Sequence, residues 1–349
     1  MRVILADPPA YTPPYDHALA AALARAGADV ELVTSPFRFG EAPAGDGYAV
    51  RELFYPFSTR VGRGARLAVK ALEHPLGLAR LGLLRPDVVH LQWLSAPEVD
   101  RWLLRTRAPL VFTAHDLLPR RTSTRTRLWG RLFRRFDRIV VHTANGRRAL
   151  LSFGVPDAAL RVIPHPVFRS DPPRRDDGAT VLALGVIRPY KGLADAVAAV
   201  LRVDGARLLV AGDPRVPLDA HRAAAGERAE WRLGYLPPAE LERALGEATV
   251  AVFPYRDELD QSGALLQALG AGVPAVVYDV GGLAEPVAAF GAGRVVPAGD
   301  VDALAAALAE LLGDAGELAR ARAGAARARD ELTWDAAAAA HLALYRELA

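Results

Sequence analysis

The sequence predicts an α/β protein built as two parallel-sheet halves. Three observations carry that expectation. Short apolar runs and helical stretches alternate from one end of the chain to the other, the pattern of strands joined by covering helices. The texture breaks once, over residues 170–178, where Pro and charge replace any apolar period. The length of 349 residues exceeds one ordinary core and suits two domains.

The first half reads in order. Arg2 to Ala6 is a buried strand, Asp16 to Ala26 a helix stopped by Gly27, and Asp29 to Thr34 a second strand. Asp87 to Leu91 and Pro109 to Thr113 are short apolar strands with a helix from Pro97 to Arg105 between them. Arg138 to Val141 is a further strand, and Ala144 to Phe153 its helix. After the linker come strands at Thr180 to Val186, Ala206 to Ala211, Trp231 to Leu233, Thr249 to Phe253, Pro274 to Tyr278 and Arg294 to Val296. Helices follow at Val301 to Leu312, Glu317 to Glu331 and Trp334 to Leu348. The result is two Rossmann-like halves joined by a hinge, an arrangement that places a ligand in the cleft between domains.

Composition removes several classes. The formal net charge of +3 and the sparse aromatics argue against a nucleic-acid partner. The absence of cysteine excludes a disulfide scaffold, thiolate metal sites and a Cys nucleophile. The opening apolar run ends at Asp7, too short for a signal-peptide core, and no stretch approaches the ~20 apolar residues of a membrane span. A cytoplasmic chain is the expectation. No G-x-G-x-x-G follows the first strand, which disfavours a dinucleotide cofactor.

Lysine occurs twice, at Lys70 and Lys191, in a chain that otherwise writes Arg. Lys191 lies in Arg188-Pro189-Tyr190-Lys191-Gly192, where a strand ends and a helix begins. Ligands of open α/β sheets bind there, and an Arg fork with a Lys point charge suits a diphosphate. In Gln261-Ser262-Gly263, a helix opens after the strand that ends at Phe253. Its first N–H groups and its dipole attract anions, and Ser262 adds a hydroxyl or simply caps the helix. Gln267, four residues after Gly263, shares that helix face. Gly281-Gly282 is a turn with Glu285 close behind. In the first half His115-Asp116 follows a strand directly, and His17, His90 and His165 are weaker candidates near strand ends or loops. His74, His142, His221 and His341 read as structural.

Taken together, Arg188…Lys191-Gly192, Ala211-Gly212-Asp213, Gly234-Tyr235, Phe253-Pro254, Gln261-Ser262-Gly263, Gly272-Val273-Pro274 and Gly281-Gly282-Leu283-Ala284-Glu285 resemble family 4 of the GT-B glycosyltransferases. Pro86 to His90, Thr113 to Asp116 and Val162 to His165 agree. The resemblance implies the GT-B fold, two Rossmann-like domains facing across a cleft. Residues 1–168 would form the acceptor domain, with helix 334–349 packing back on it, and residues 178–333 the donor domain. It implies transfer of a sugar from a nucleotide diphosphate sugar, UDP favoured over GDP, to an acceptor hydroxyl with retention.

By the same resemblance Arg188 and Lys191 neutralise the leaving diphosphate, and Ser262 and Gly263 wrap it. His115, with Asp116 beside it, contacts the donor sugar, Gly234 and Tyr235 edge the nucleobase, and Glu285 supports the site. Two departures stand out. The family's two glutamates, spaced eight apart, are Leu259 and Gln267 here, a Gln-Ser-Gly form of the loop, so Gln267 would face the ribose. The usual Asn-Gly of the interdomain segment is His165-Pro166. No cofactor and no metal are expected, because no carboxylate pair or His/Asp/Glu cluster has metal spacing. Asp257, Glu258 and Asp260 read as a solvated loop.

The acceptor is open: a glycan, a lipid-linked sugar or a small molecule. Loops at Tyr11 to Tyr15 and Ser35 to Gly47 are its expected seat. Thr124 to Arg138 reads as a basic amphipathic helix. Leu128, Trp129, Leu132, Phe133 and Phe136 lie on one arc, with Arg127, Arg131, Arg134, Arg135 and Arg138 opposite. The arc packs on the first sheet, and the Arg face offers a peripheral contact with anionic lipid at the inner membrane face. Two other readings stay open: a nucleotide-sugar-binding homologue with weak turnover, and a nucleotide-sugar epimerase on the same fold.

Overall fold

The computed structural model describes residues 1–37, 45–118, 122–256 and 260–349. They form two compact units: Met1–Pro164 with Trp334–Ala349, and His165–Thr333.

In the first unit the chain runs β1 (Arg2–Asp7), α1 (Pro13–Arg25), β2 (Asp29–Thr34), β3 (Ala49–Glu52), α2 (Arg63–Leu83), β4 (Val88–Leu91), α3 (Pro97–Leu103), β5 (Leu110–Thr113), α4 (Thr126–Phe133), β6 (Arg138–Val141), α5 (Ala144–Ser152) and β7 (Leu160–Val162). The sheet order is β3-β2-β1-β4-β5-β6-β7, and every pairing is parallel. Val3 lies opposite Val30 on one side and Val88 on the other, so β1 is covered on both edges and reads as a continuous apolar run.

In the second unit come β8 (Thr180–Leu184), α6 (Leu193–Leu201), β9 (Arg207–Gly212), α7 (Asp219–Ala225), β10 (Ala229–Leu233), α8 (Pro238–Glu247), β11 (Val250–Phe253), α9 (Gly263–Gly270), β12 (Ala275–Tyr278), α10 (Ala284–Phe290), β13 (Gly293–Val296), α11 (Val301–Gly313) and α12 (Ala315–Glu331). The sheet order is β10-β9-β8-β11-β12-β13, again parallel throughout. The last helix, α13 (Trp334–Arg346), belongs to the first unit. Its Tyr345 hydroxyl meets His90 Nδ1 at 2.6 Å, and Arg25 pairs with Asp335 at 2.7 Å.

Several expectations change. Residues 170–178, expected as a linker, are fastened to the second unit, as are residues 165–168, expected in the first domain. Val167 N donates to Leu332 O, Ser170 N to Gly270 O and Arg175 N to Gly246 O, while the Arg174 guanidinium donates to Leu245 O and Ala248 O. Backbone hydrogen bonding needs no apolar period, so a Pro-rich, charged segment can be ordered this way.

The helix expected over 124–138 is shorter, and Arg138 opens β6 instead. Leu128, Trp129, Leu132, Phe133 and Phe136 are buried in the first unit's core, so this segment offers lipid no aromatic side chain. Arg135 donates to Arg101 O and Leu104 O, the free carbonyls closing α3, and Arg138 lies 3.6 Å from Glu347. Arg127, Arg131 and Arg134 are exposed. Among the described residues, no helix is long and apolar enough to cross a membrane.

Candidate functional site

Each sheet reverses its strand order once. In the second unit β8 leads outward through α6 to β9, and β11 leads the other way through α9 to β12. The carboxyl ends of β8 and β11 therefore open a crevice at a topological switch point. The turn after β8 holds Arg188 to Gly192, and the loop after β11 holds Pro254 to Ser262. Neighbouring strands bring the two basic and small-residue segments together.

Tyr255 joins them. Lys191 Nζ donates to the Tyr255 hydroxyl at 2.8 Å and sits 4.6 Å from the centre of its ring. The same hydroxyl lies 3.2 Å from Ser262 Oγ. With the ammonium on its acceptor side, the phenol's hydrogen is left for Ser262. Burial raises the Tyr255 pKa, so the phenol stays protonated. Ser262 Oγ also accepts from Leu265 N and caps α9, and Ser262 N donates to Gln261 Oε1 at 2.8 Å. Gln261 Nε2 reaches Gly282 O at 3.4 Å, tying the glycine turn before α10 to the same helix start.

Gly192 fixes the approach of turn to loop. Its φ is +66°, and a Cβ there would lie 1.9 Å from Pro254 O. Arg256 N donates to Tyr190 O at 2.7 Å, and the Arg256 guanidinium forks onto Asp195 at 3.0 and 2.5 Å. Asp195 also accepts from the Tyr278 hydroxyl at 3.2 Å. These groups hold the turn from behind.

Of the expected residues, Lys191 and Ser262 both meet the Tyr255 hydroxyl, and Gln261 is bonded to Ser262 N. Gly263, exposed, opens α9, Gln267 is half-buried further along it, and Glu285 lies in the first turn of α10. Arg188 is exposed at the start of the turn. Gly234 and Tyr235 follow β10, with Gly234 N bound to Gly212 O and the Tyr235 ring exposed. Leu259, Asp257 and Glu258 lie outside the described residues, as do residues 38–44 of the expected Ser35 to Gly47 loop. Asp260, expected in solvent, is fully buried. It lies two residues before the α9 cap, where the helix dipole favours a carboxylate.

The first unit has its own switch point, between β1 and β4. Trp93, after β4, donates Nε1 to Thr12 Oγ1 at 2.8 Å, and its ring stacks on His115, 5.3 Å between centres. Tyr15 stands edge-on to His115 at 4.7 Å. His142 follows β6 as His115 follows β5, and its Nε2 lies 3.4 Å from His115 Nδ1. The polarity of this run can be worked out. His142 Nδ1 faces Ile163 O at 3.0 Å and must carry a hydrogen, so in a neutral His142 ring Nε2 is the acceptor. His115 then supplies Nδ1–H, which makes its Nε2 an acceptor. That nitrogen faces the Gln92 amide at 3.0 Å, and Gln92 Nε2 is buried with no partner among the described residues. Turning the Gln92 amide over gives its NH₂ to His115. Both nitrogens of the His115 ring are thus engaged. Asp116 is half-buried beside it.

The other histidines differ from expectation. His90 is buried between Tyr345 and Thr113, with Nε2 2.7 Å from Thr113 Oγ1, and burial, then His341 and His142, lower its pKa. His17 meets the Tyr48 hydroxyl at 2.6 Å, and burial lowers its pKa. His165 bonds Pro166 O, and burial brings it down to about 4. These three are packing residues, because desolvation keeps the rings neutral. His142, read as structural, lies against His115. The parallel placement of Thr113-Ala114-His115 and Val141-His142-Thr143 after adjacent strands was the available signal. Tyr255 had none beyond its place after Phe253-Pro254, since only burial reveals its role.

The loop between β1 and α1 rests on two carboxyls. Asp7 Oδ2 accepts from Tyr11 N at 2.7 Å and Thr12 N at 3.1 Å, while Thr12 Oγ1 is 3.3 Å from Asp16 Oδ2. Burial raises Asp7 to about 6, and burial, then the Asp7 charge, raise Asp16 well above the carboxylate range. Among the described residues no group of three or more His, Asp or Glu side chains is placed to hold a metal.

The comparisons follow the two units. Residues 15–169 match the model for Glycosyltransferase Family 4, and residues 178–314 match Glycosyl transferases group 1. A D-inositol 3-phosphate glycosyltransferase of Mycolicibacterium paratuberculosis is 31% identical over 74% of this chain. The match spans 66% of that relative, just under two thirds of its length. A sucrose-phosphate synthase of Thermosynechococcus elongatus superposes with a TM-score of 0.76 at 22% identity, covering 100% of this chain and 99% of that one. Anabaena HepE, solved with UDP and glucose, gives 0.73 at 15% identity, with 100% of each chain covered. The fold is that of the GT-B glycosyltransferases. The chain belongs to glycosyltransferase family 4, the group 1 glycosyl transferases.

Proposed function

We propose that the protein is a glycosyltransferase that moves a sugar from a nucleotide diphosphate sugar, UDP-linked, to an acceptor hydroxyl with retention and without a metal. One observation carries the reading: the lysine turn after β8 and the small-residue start of α9 meet through the Tyr255 hydroxyl. When the bond from the anomeric carbon to the diphosphate breaks, negative charge collects on the leaving phosphate. The Lys191 ammonium, the Arg188 guanidinium and the N–H groups opening α9 are the groups that would take it up. Gln261 would hold the glycine turn of Glu285 in register with them. His115, held by Gln92 and His142, would touch the donor sugar. The UDP in the HepE structure agrees with a uridine donor. With no metal, cationic side chains and N–H dipoles would carry the electrostatic work.

Lys191→Ala tests this. The fold should survive, because Lys191 is half-buried at the surface of the turn. The turnover number should fall roughly 10²–10³-fold, as for loss of one preorganised donor. UDP should raise the wild-type melting point by mass action, and transfer should persist in excess chelator. Undiminished turnover in Lys191→Ala would overturn the assignment. A nucleotide-sugar-binding homologue without turnover is the second reading, favoured by Gln267 where the resemblance expects Glu. Donor binding with neither transfer nor donor hydrolysis would select it.

A further inference from the structure

The first of the chain's two lysines has no part in the donor site, yet its setting repeats that of the second. Lys70 lies on α2 with Nζ 4.5 Å from the centre of the Tyr55 ring, as Lys191 lies over Tyr255. Arg66, one helical turn earlier, shares the same recess, an open hollow of about 40 Å³ lined also by Ala10, Ser35, Tyr55 and Thr59. Like charges at i and i+4 destabilise a helix by ~0.2–0.5 kcal/mol, so the pair needs a counter-charge. The nearest candidate does not supply a contact. Glu73 is occupied by Phe57 N at 2.6 Å and Ser58 N at 3.1 Å. Arg66 Nη2 is buried and bonded to nothing among the described residues, an expensive state for a guanidinium nitrogen. Burial and the Arg66 charge both press the Lys70 pKa down, with Glu73 opposing. Two cations are therefore held close together in a partly desolvated hollow.

The backbone is strained at the same place. Ala10 at φ +52° and Tyr55 at φ +55° are the only non-glycine residues with positive φ among those described, and both line this recess. Such conformations are costly and persist where the surroundings enforce them. For Tyr55 the enforcement is visible. Its hydroxyl meets His74 Nδ1 at 2.7 Å, His74 Nε2 meets Asp100 Oδ1 at 2.5 Å, and Asp100 Oδ2 accepts from Ala96 N at 3.0 Å. This buried chain fixes the ring under Lys70. Ala10 belongs to the β1–α1 loop, whose Tyr11 packs edge-on to Trp93 at 5.4 Å, the ring that stacks on His115. Recess and His115 cluster are thus two sides of one loop.

We infer that Arg66 and Lys70, with the hydroxyls of Thr59 and Ser35, bind a phosphomonoester group carried by the acceptor. The inference rests on the transferase reading and specifies its acceptor. A guanidinium fork and an ammonium suit a dianionic phosphoryl group; the Ser35 hydroxyl can donate to its remaining oxygen, and the Thr59 hydroxyl can do so by leaving Pro56 O, to which it donates at 3.3 Å.

The test titrates inorganic phosphate and glucose 6-phosphate into the full chain by calorimetry, with saturating UDP so that the donor side is filled. Wild type should bind both, glucose 6-phosphate at least as tightly as phosphate. Arg66→Gln and Lys70→Gln should each weaken both at least tenfold, and Lys70→Arg should recover most of the loss. UDP affinity should stay within twofold in all three variants. Both positions are on the surface of α2, and circular dichroism checks that the helix survives. Equal phosphate binding by wild type and both Gln variants overturns the inference. So does binding abolished by UDP, which would place the anion at Lys191, and so does capture of free phosphate without the sugar ester. Failure of wild type to bind UDP would sink the donor reading instead, and the phosphate titration then judges the recess by itself.

Discussion

Tyr255 meets Lys191 on one side and Ser262 on the other, so a single phenol sets the distance between the ammonium and the start of α9. Tyr255→Phe keeps the ring under the lysine and removes only the hydroxyl. A hydrogen bond to a charged group contributes ~1.5–3 kcal/mol, of which the half-exposed lysine would recover part from water. We expect kcat/KM to fall about tenfold, the equivalent of ~1.4 kcal/mol, with UDP affinity reduced less and the melting point nearly unchanged. A variant that matched wild type in steady-state kinetics would show that the hydroxyl positions nothing. Lys191 and Ser262 were legible from residue type and strand position. Tyr255 was not, because an apolar-looking Phe-Pro-Tyr gives no sign of which ring turns toward a cation. His90 misled for the converse reason: a histidine near a strand end looks available until Tyr345, 255 positions away in sequence, closes over it.

Strands and helices with a clean period were readable almost to their ends, and the elements that were missed each lack one. The β3 strand is exposed at all four positions and earns its place through backbone pairing with β2. The α2 helix contains Pro75, a residue that argues against a helix interior, and exposes Leu67, Leu72, Leu76 and Leu83, so its leucines do not mark a buried face. The turn after β8 was legible as a turn, but not the closeness of its contact with the β11 loop. Gly192→Ala probes that contact. A Cβ would meet Pro254 O at 1.9 Å in a left-handed backbone, which costs ~1–2 kcal/mol before any clash. Either the turn or the loop must move. The expected result is a urea midpoint lowered in the second unit and UDP affinity reduced at least tenfold. Unchanged affinity would mean that the turn does not need this approach to hold the nucleotide.

At the scale of the whole chain, buried titratable groups pull stability in opposite directions with pH. Burial lowers His341 to about 4 and His90 well below the usual imidazole range, and their rings lie 5.3 Å apart against Tyr345, where α13 returns to the first unit. The unfolded chain protonates these histidines near 6.5; the folded one protonates His341 only near 4, and His90 shifts in the same direction. Their contribution is therefore complete above 6.5 and lost as pH falls toward 4. Asp7 and Asp16 run the other way. Asp7 is raised to about 6, so the folded state takes up a proton before the unfolded one, and this stability is lost as pH rises through 6. Two variants separate the terms. Relative to wild type, His341→Gln should gain on acidification from pH 6.5 to 4, by at most ~1.4 kcal/mol per pH unit. Asp16→Asn, which mimics the protonated carboxyl, should gain as pH rises from 5 to 8. Four of the five tryptophans (Trp93, Trp102, Trp129 and Trp334) lie in the first unit with these groups, so urea unfolding followed by tryptophan fluorescence reads the right transition. Parallel pH profiles for wild type and His341→Gln would mean that the ring is hydrated when folded. Parallel profiles for Asp16→Asn would mean that the two carboxyls do not share their burial.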